Sequence, residues 1–491
     1  MADQKRMPLV EALDTFGRQE PAYFAIPGHR FERGISPELR MRWGDGVFRY
    51  DLTEAEGLDD LHHPEGAILE AQRLAAKLYG ADRTWFLVNG TTCGNEAMIL
   101  SAVKPGEKII ISRNAHKSAL MGLVLSGAVP VWVMPEYLEE WGMYGAVAPE
   151  AIEKAFLREP DCRAALVTSP TYYGICSDLR AIAEICHRRG AQLLVDEAHG
   201  SHFCFSERYP EGALRQGADV CAQSTHKTSG GMTQSSMLHC RGTLANPAAI
   251  DAALKLVMST SPSYVLMASL DAARCQLAAS GRKMMERAAD LAAEARRLLE
   301  EISGVEVLHG EELPGRAAAA ADPARLVFSA RRLGITGYEL QERLFRESGV
   351  ATEMADWENV VAVVTWANEE KEIRRLAGGV RRAVETAPGR AEREMEEKAA
   401  ENLRLRTVPE MAVTPREAWF AEGKAVPWEK ALGCVAAETA APYPPGIPLV
   451  CPGEVLTEEV WDALDWCRRG GVSIHGPADP ELQSFRVIED V

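Results

Sequence analysis

The chain has 491 residues, 46% of them hydrophobic, which is ample for a large core and by length alone suggests roughly three domains. Lysine and arginine total 54 against 71 for aspartate and glutamate, and the resulting formal charge of −17 argues against a nucleic-acid surface while tolerating cationic substrates. Cysteines without C-x-x-C pairs, a start (Met1 to Arg6) without an apolar signal core, and no apolar run of about eighteen residues predict a reduced, cytoplasmic protein with no membrane span and no structural metal.

A short helix is predicted around Leu9 to Phe16, followed by the turn-rich Ala25-Ile26-Pro27-Gly28-His29-Arg30. The acidic loop from Asp51 to Gly66 includes His62 and His63, but its spacing fits neither an EF-hand nor H-E-x-x-H, so a substrate-facing loop is expected there. An amphipathic helix follows over 67–79.

From Thr84 strands and helices alternate. A strand over 84–88 leads into the small-residue turn Asn89-Gly90-Thr91-Thr92-Cys93-Gly94 and a helix over 95–103. The start of that helix suits one phosphate, with Thr91 and Thr92 supplying hydroxyls, although an ordinary N-cap is the alternative reading. Strands over 108–112 and 129–133 flank a helix over 115–126, and His116 lies at the strand-to-helix handover, where an imidazole can stack on a flat ring. A strand over 164–168, the turn Ser169 to Gly174, a helix over 179–189 and a strand over 192–196 continue the rhythm and predict a mostly parallel sheet.

Asp196 ends its strand, where open α/β sheets bind ligands. The apolar run 218–222 then delivers Gln223-Ser224-Thr225-His226-Lys227-Thr228, and a partly desolvated lysine in such a loop can be a neutral amine able to condense with a carbonyl. Lysine and acid together match the needs of pyridoxal 5'-phosphate (PLP), whose ring nitrogen requires a carboxylate to stay protonated.

Beyond Ala268 a long helix is expected over 270–303, a low-complexity loop or insertion over 317–321, and a small α/β region from a strand at 325–329, a helix at 337–347 and a strand at 360–365. Arg331 and Arg332 are read as a solvated pair rather than a carboxylate clamp. Residues 370–406 are charged and mostly helical, with breaks at Gly378-Gly379 and Pro388-Gly389, and a tail starts near Thr407 with a helix start at Thr414-Pro415. The expected organisation is an N-terminal segment (1–45), a large PLP-binding domain (46–268), a small α/β domain (269–388) and a C-terminal module with a charged linker (389–491).

Taken in order, Pro27-Gly28-His29, Gly57-Leu58-Asp59-Asp60-Leu61-His62, Asn89-Gly90-Thr91-Thr92, Asn114-Ala115-His116-Lys117-Ser118, Asp196-Glu197-Ala198-His199-Gly200, Ser224-Thr225-His226-Lys227 and Met232-Thr233-Gln234 resemble the bacterial ornithine/lysine/arginine decarboxylases. Tyr443-Pro444-Pro445-Gly446-Ile447-Pro448 and Pro452-Gly453-Glu454 resemble that family's tail. The resemblance implies a PLP-dependent enzyme of fold type I, aspartate-aminotransferase-like, working as a homodimer or higher homo-oligomer with shared sites. It is similar to the shorter, biosynthetic-type members, without the N-terminal wing domain.

By motif match Lys227 carries PLP and Asp196 pairs with its ring nitrogen. His116 stacks on the ring; Gly90, Thr91, Thr92, Ala198 and Ser224 line the phosphate and ring; His199 and His226 lie near the ring oxygen, the phosphate or the substrate's carboxylate, and Thr260 or Ser261 acts across an interface. Arginine is the favoured substrate, before lysine and ornithine. Its distal cation needs an acid, for which Asp51, Glu54, Asp59, Asp60, Glu353, Asp356 and Glu454 are candidates. A fold-type-I aminotransferase, a lyase and a catalytically silent partner protein are the competing readings.

Overall fold

In the buried strands successive side chains enter opposite apolar layers, which is what a sheet covered on both faces requires. Ile109, Ile111 and Leu194 belong to one layer, Ile110, Leu193 and Val195 to the other. The computed structural model describes residues 3–313, 317–386 and 404–489. Its central sheet uses β1 (Arg83–Leu87), β2 (Lys108–Ser112), β3 (Val129–Val133), β4 (Ala164–Thr168), β5 (Gln192–Asp196), β6 (Val220–Gln223) and β7 (Ser236–Cys240). They lie in the order β1-β7-β6-β5-β4-β2-β3, with β7 alone antiparallel to its neighbours.

The parallel strands β2, β4, β5 and β6 therefore all end at one edge, and the residues following them meet there. A helix of 37 residues, Tyr264–Glu300, about 55 Å long at 1.5 Å per residue, runs from this sheet to a second one. Leu270 packs under the central sheet, whereas Leu291, Ala295 and Leu299 pack under the second. Near its start the buried Asp271–Arg274 pair accepts the Leu9 N–H and donates to the Gln4 carbonyl, tying down the N-terminal segment.

The second sheet contains β8 (Glu306–Val307), β9 (Arg325–Ser329), β10 (Met354–Ala355) and β11 (Val360–Val363), in the order β8-β9-β11-β10. The tail builds its own apolar cluster around Trp428, Leu464 and Phe485, closed by pairing of Gly423–Pro427 with Ser484–Ile488.

Four expectations change. The helix expected from Asn95 begins at Gly90, because Gly90 takes φ +75° and the small residues after it turn directly into helix. The long helix starts at Tyr264, whose hydroxyl donates to the Asp59 carbonyl. Residues 318–321 are a strand paired with Ile175–Ser177, not a loop. Finally, the helix Glu370–Glu385 passes through Gly378-Gly379 unbroken. A Cβ on Gly379 would lie 3.0 Å from Leu344 and Ser348, so the glycine permits close helix packing rather than a break. The break expected at Pro388-Gly389 lies outside the described residues.

Candidate active site

At the carboxyl edge of the central sheet lies a cavity of about 200 Å³, lined by Gly90, Thr91, Thr92, Asn95, His116, Thr168, Pro170, Tyr172, Asp196, Ala198, His199, Ser224, His226 and Lys227. Every site residue expected from the sequence lines it except Thr260, which is exposed and absent from this lining. The Thr260 loop is nevertheless close by, since Ser259 N–H donates to Asn89 Oδ1 at 3.1 Å, just before the helix Gly90–Ala102.

Lys227 sits in the single helical turn Thr225–Thr228 that follows β6. Its Nζ is 2.8 Å from His199 Nε2, and burial lowers its pKa below the usual lysine value against the opposing charges of Asp196 and Glu353. Burial, reinforced by Lys227 and Arg325, also drives the His199 pKa well below the ordinary value, so this imidazole is neutral. Tyr172 meets the His199 ring edge-on, with centroids 5.1 Å apart.

Asp196 is only 3% exposed, and two donors orient its carboxylate: Asn95 Nδ2 at 2.8 Å and the Ala198 N–H at 3.1 Å. The same Asn95 amide donates to Ser118 Oγ at 2.9 Å, and Ser118 contacts His116 Nδ1 at 2.8 Å, so acid and imidazole are held by one network. His116 also N-caps the helix Lys117–Ser126, and burial lowers its pKa. His226 bonds through Nδ1 to the Ser235 carbonyl at 3.0 Å; burial depresses its pKa as well.

The residues fit a phosphate-bearing aromatic aldehyde such as PLP. Asn89 gives no side-chain cap to the helix Gly90–Ala102, so its first N–H groups remain available to an anion. Thr91 Oγ1 lies 2.5 Å from Ser224 Oγ and 3.1 Å from Ser236 Oγ, grouping hydroxyls at that terminus. Within the cavity Thr168 Oγ1 is buried without a partner among the described residues.

Sequence reasoning missed Asn95, Thr168, Pro170 and Tyr172 as lining residues, although the last three lie at the end of β4 and in the turn after it, on the expected edge. It also missed Arg325, the first residue of β9, whose Nη2 donates to His199 Nδ1 at 3.0 Å. Nothing local distinguishes that arginine; the pairing of strand 318–321 with Ile175–Ser177 brings it in.

Most of the acids considered for a distal cation are already engaged. Glu454 forms a buried bidentate pair with Arg113, at 2.5 and 2.8 Å. Asp356 accepts from Tyr173 Oη at 2.7 Å and from Asn359, with its pKa pushed up to about 6 by burial. Asp59 accepts backbone N–H groups of Glu65, Gly66 and Ile68, and Asp60 that of His62. Asp51 bonds His29 Nε2 at 3.1 Å, whereas Glu54 is half-buried against Asp60 with its pKa raised. Glu353 is exposed, and its charge acts on Lys227, His226 and Arg325. Arg331 is not solvated as expected but paired with Glu306 and Glu358; Arg332 pairs with Glu306.

Residues 7–372 match the family profile described as Orn/Lys/Arg decarboxylase, major domain, and residues 395–471 match the C-terminal domain of the same family. The chain is 38% identical to arginine decarboxylase of Halalkalibacterium halodurans, covering 100% of this chain and 99% of that one. It is also 38% identical to arginine decarboxylase of Bacillus subtilis, covering 99% of each. Among solved structures, lysine decarboxylase A of Pseudomonas aeruginosa superimposes with TM-score 0.85 at 23% identity, covering 98% of this chain and 80% of that one. The lysine decarboxylase of Francisella novicida gives TM-score 0.83 at 22% identity, with coverage of 99% and 81%, and the shared fold is type I.

Proposed function

The chain belongs to the Orn/Lys/Arg decarboxylase family and decarboxylates a basic amino acid, and we propose that its substrate is arginine, its product agmatine and its cofactor PLP. The observation carrying this reading is the convergence of Lys227, Asp196, His116 and the Gly90 helix terminus on one cavity, in a chain alike over its whole length to arginine decarboxylases.

In this reading Lys227 would hold the cofactor covalently, Asp196 would pair with its ring nitrogen, His116 would contact its ring, and Thr91, Thr92 and Ser224 would hold its phosphate. When bound, PLP supplies an aldehyde for amines and a protonated ring that accepts electrons from the substrate's Cα as CO2 leaves. The protein's own contribution begins with Lys227: burial lowers its pKa below the usual lysine value, which favours the amine over the ammonium. Asn95 and the Ala198 N–H keep the Asp196 carboxylate pointed into the site. After CO2 departs, Lys227, freed by the substrate and carrying as an ammonium the proton that the incoming α-ammonium gave up, would return that proton to Cα as general acid, with His199 Nε2 2.8 Å from its Nζ. Glu353, the candidate acid whose side chain has no hydrogen-bond or ion-pair partner among the described residues, receives the guanidinium.

We further read the enzyme as a cytoplasmic homodimer. All of its cysteines are free, and no helix among the described residues is long and apolar enough to cross a membrane. Phe24, Ile26, Met41 and Trp43 are exposed on the N-terminal arm, an apolar surface suited to a second copy. The decisive experiment is to incubate PLP-loaded protein separately with arginine, lysine and ornithine and identify the amine by mass. Agmatine is expected; cadaverine or putrescine in its place overturns the substrate, and an oxo acid without CO2 overturns decarboxylation.

A further inference from the structure

Two residues far apart in the chain bracket His199. Arg325 donates through Nη2 to its Nδ1 at 3.0 Å, and Lys227 Nζ lies 2.8 Å from its Nε2. A guanidinium only donates, so Nδ1 is the acceptor, and in a neutral imidazole the hydrogen then sits on Nε2. A hydrogen on Nε2 leaves Lys227 Nζ the acceptor's role, which a neutral amine can fill and an ammonium cannot.

We propose that Arg325 is a positioning residue that fixes His199 as the Nε2–H tautomer aimed at Lys227 Nζ, and thereby holds that lysine as a free amine. The surroundings are built for it. Arg325 is 2% exposed although it is a cation, and its Nε and Nη1 have no partner among the described residues, so His199 is its one side-chain acceptor there. Its stem crosses Gly174, where an added Cβ would come within 2.7 Å of Arg325 Cβ and where φ is +83°. Tyr172, in the same turn, packs edge-on against the His199 ring and limits its rotation.

The charges around Lys227 give the sign. Asp196 and Glu353 favour the ammonium, while burial and the Arg325 charge favour the amine, burial being the largest cause. Arg325 thus acts twice in one direction, through its charge and through the hydrogen it places on Nε2. His116 and His226, the other imidazoles of the cavity, are both depressed by burial and stay neutral beside it.

The inference rests on Lys227 being the cofactor lysine, but its readout is made on apoprotein. In 15N-histidine-labelled wild-type protein, with His199 assigned by comparison with His199→Asn, Nδ1 is expected to show a pyridine-like shift and Nε2 a pyrrole-like one. The reverse pattern overturns the proposal without any Arg325 variant. In parallel, the pH dependence of Lys227 acylation by an amine-selective reagent, located by peptide mapping, gives the fraction present as amine. Arg325→Gln should mix the tautomers and raise the acylation midpoint by about one pKa unit, a tenfold shift of the amine–ammonium equilibrium; Arg325→Lys, keeping charge and donor, should restore most of it.

An unchanged tautomer and acylation midpoint in Arg325→Gln, with wild-type melting, refutes the role. A raised KM for the amino acid with both readouts unchanged also refutes it, in favour of direct carboxylate binding. Should Arg325→Gln fail to fold, the wild-type spectrum and the Arg325→Lys titration decide. Failure of the decarboxylase reading looks different: no amine forms from any basic amino acid while the His199 spectrum is as expected.

Discussion

Replacing Glu454 by alanine tests how the tail supports the site. Arg113 and Glu454 each have side chains 1% exposed, and their two hydrogen bonds measure 2.5 and 2.8 Å. Glu454 also accepts the Cys451 N–H at 2.8 Å, and Arg113 donates to the Leu449 carbonyl and lies over the Trp132 ring at 5.0 Å. Removing the acid leaves a buried cation with one carbonyl and a ring, a loss of about 3–5 kcal/mol. In thermal unfolding this corresponds to a fall of order 10 °C in the transition of the tail module, read by tryptophan fluorescence through Trp428 and Trp461, which stack there. The double variant Arg113→Met/Glu454→Leu, with no charge left to strand, should recover most of the loss. Because Arg113 stands three residues before His116, Glu454→Ala should also loosen cofactor retention, measured by dialysis. A melting shift below about 2 °C in the single variant would refute the argument, since no buried charge can be orphaned so cheaply.

Asp196→Asn should fold with unchanged circular dichroism yet lower kcat about 10²–10³-fold, the usual loss when a preorganised charge is removed from an active site; a kcat within tenfold of wild type would remove Asp196 from its role. Glu353→Gln should raise the KM for arginine about tenfold or more, from the 1.5–3 kcal/mol of a charge-assisted hydrogen bond, with kcat nearly unchanged; an unaltered KM assigns the distal cation elsewhere. His239 is fully buried, with Nδ1 2.7 Å from Thr84 Oγ1 and Nε2 3.2 Å from Gln223 Oε1, and burial lowers its pKa to about 3. The unfolded chain therefore binds a proton below pH about 6.5 that the folded one refuses until about 3, and stability falls with pH across that window. Between pH 7.5 and 5.5 wild type should lose about 1.4 kcal/mol more than His239→Gln in urea titrations; equal losses would contradict the assignment.

The sheet was legible because fully buried strands are short apolar runs with punctuation on either side, and β2, β3, β4 and β5 carry the bounds expected of them. Lys227 and Asp196 were legible for a related reason: each follows or ends such a run, and the edge where parallel strands end is fixed by topology. Partnership at long range was not legible. Glu454 and Asp356 read as free acids until Arg113 and Tyr173, 341 and 183 residues away, are seen to claim them. Arg325 is the converse case, an ordinary strand residue made functional by a sheet contact. Gly90 and Gly379 were misread because a glycine signals local freedom, whereas one opens a helix over the cavity and the other lets two helices approach.

The same long-range pairings bear on why this site should release CO2 rather than keep the carboxylate. An arginine clamped on the α-carboxylate would stabilise the substrate before bond cleavage, by about 1.5–3 kcal/mol for each charge-assisted bond, and every such contribution lost on forming CO2 would raise the barrier. Arg331 and Arg332 are committed to Glu306 and Glu358, and Arg325 touches the cavity wall through His199. Thr168, Pro170 and Tyr172, which do line the cavity, bring a hydroxyl, a ring without a donor and an aromatic face. A carboxylate placed against these groups gives up no ion pair on leaving. The acid–base machinery needed afterwards, a neutral imidazole beside a lysine whose pKa burial lowers, is already within hydrogen-bond distance of itself.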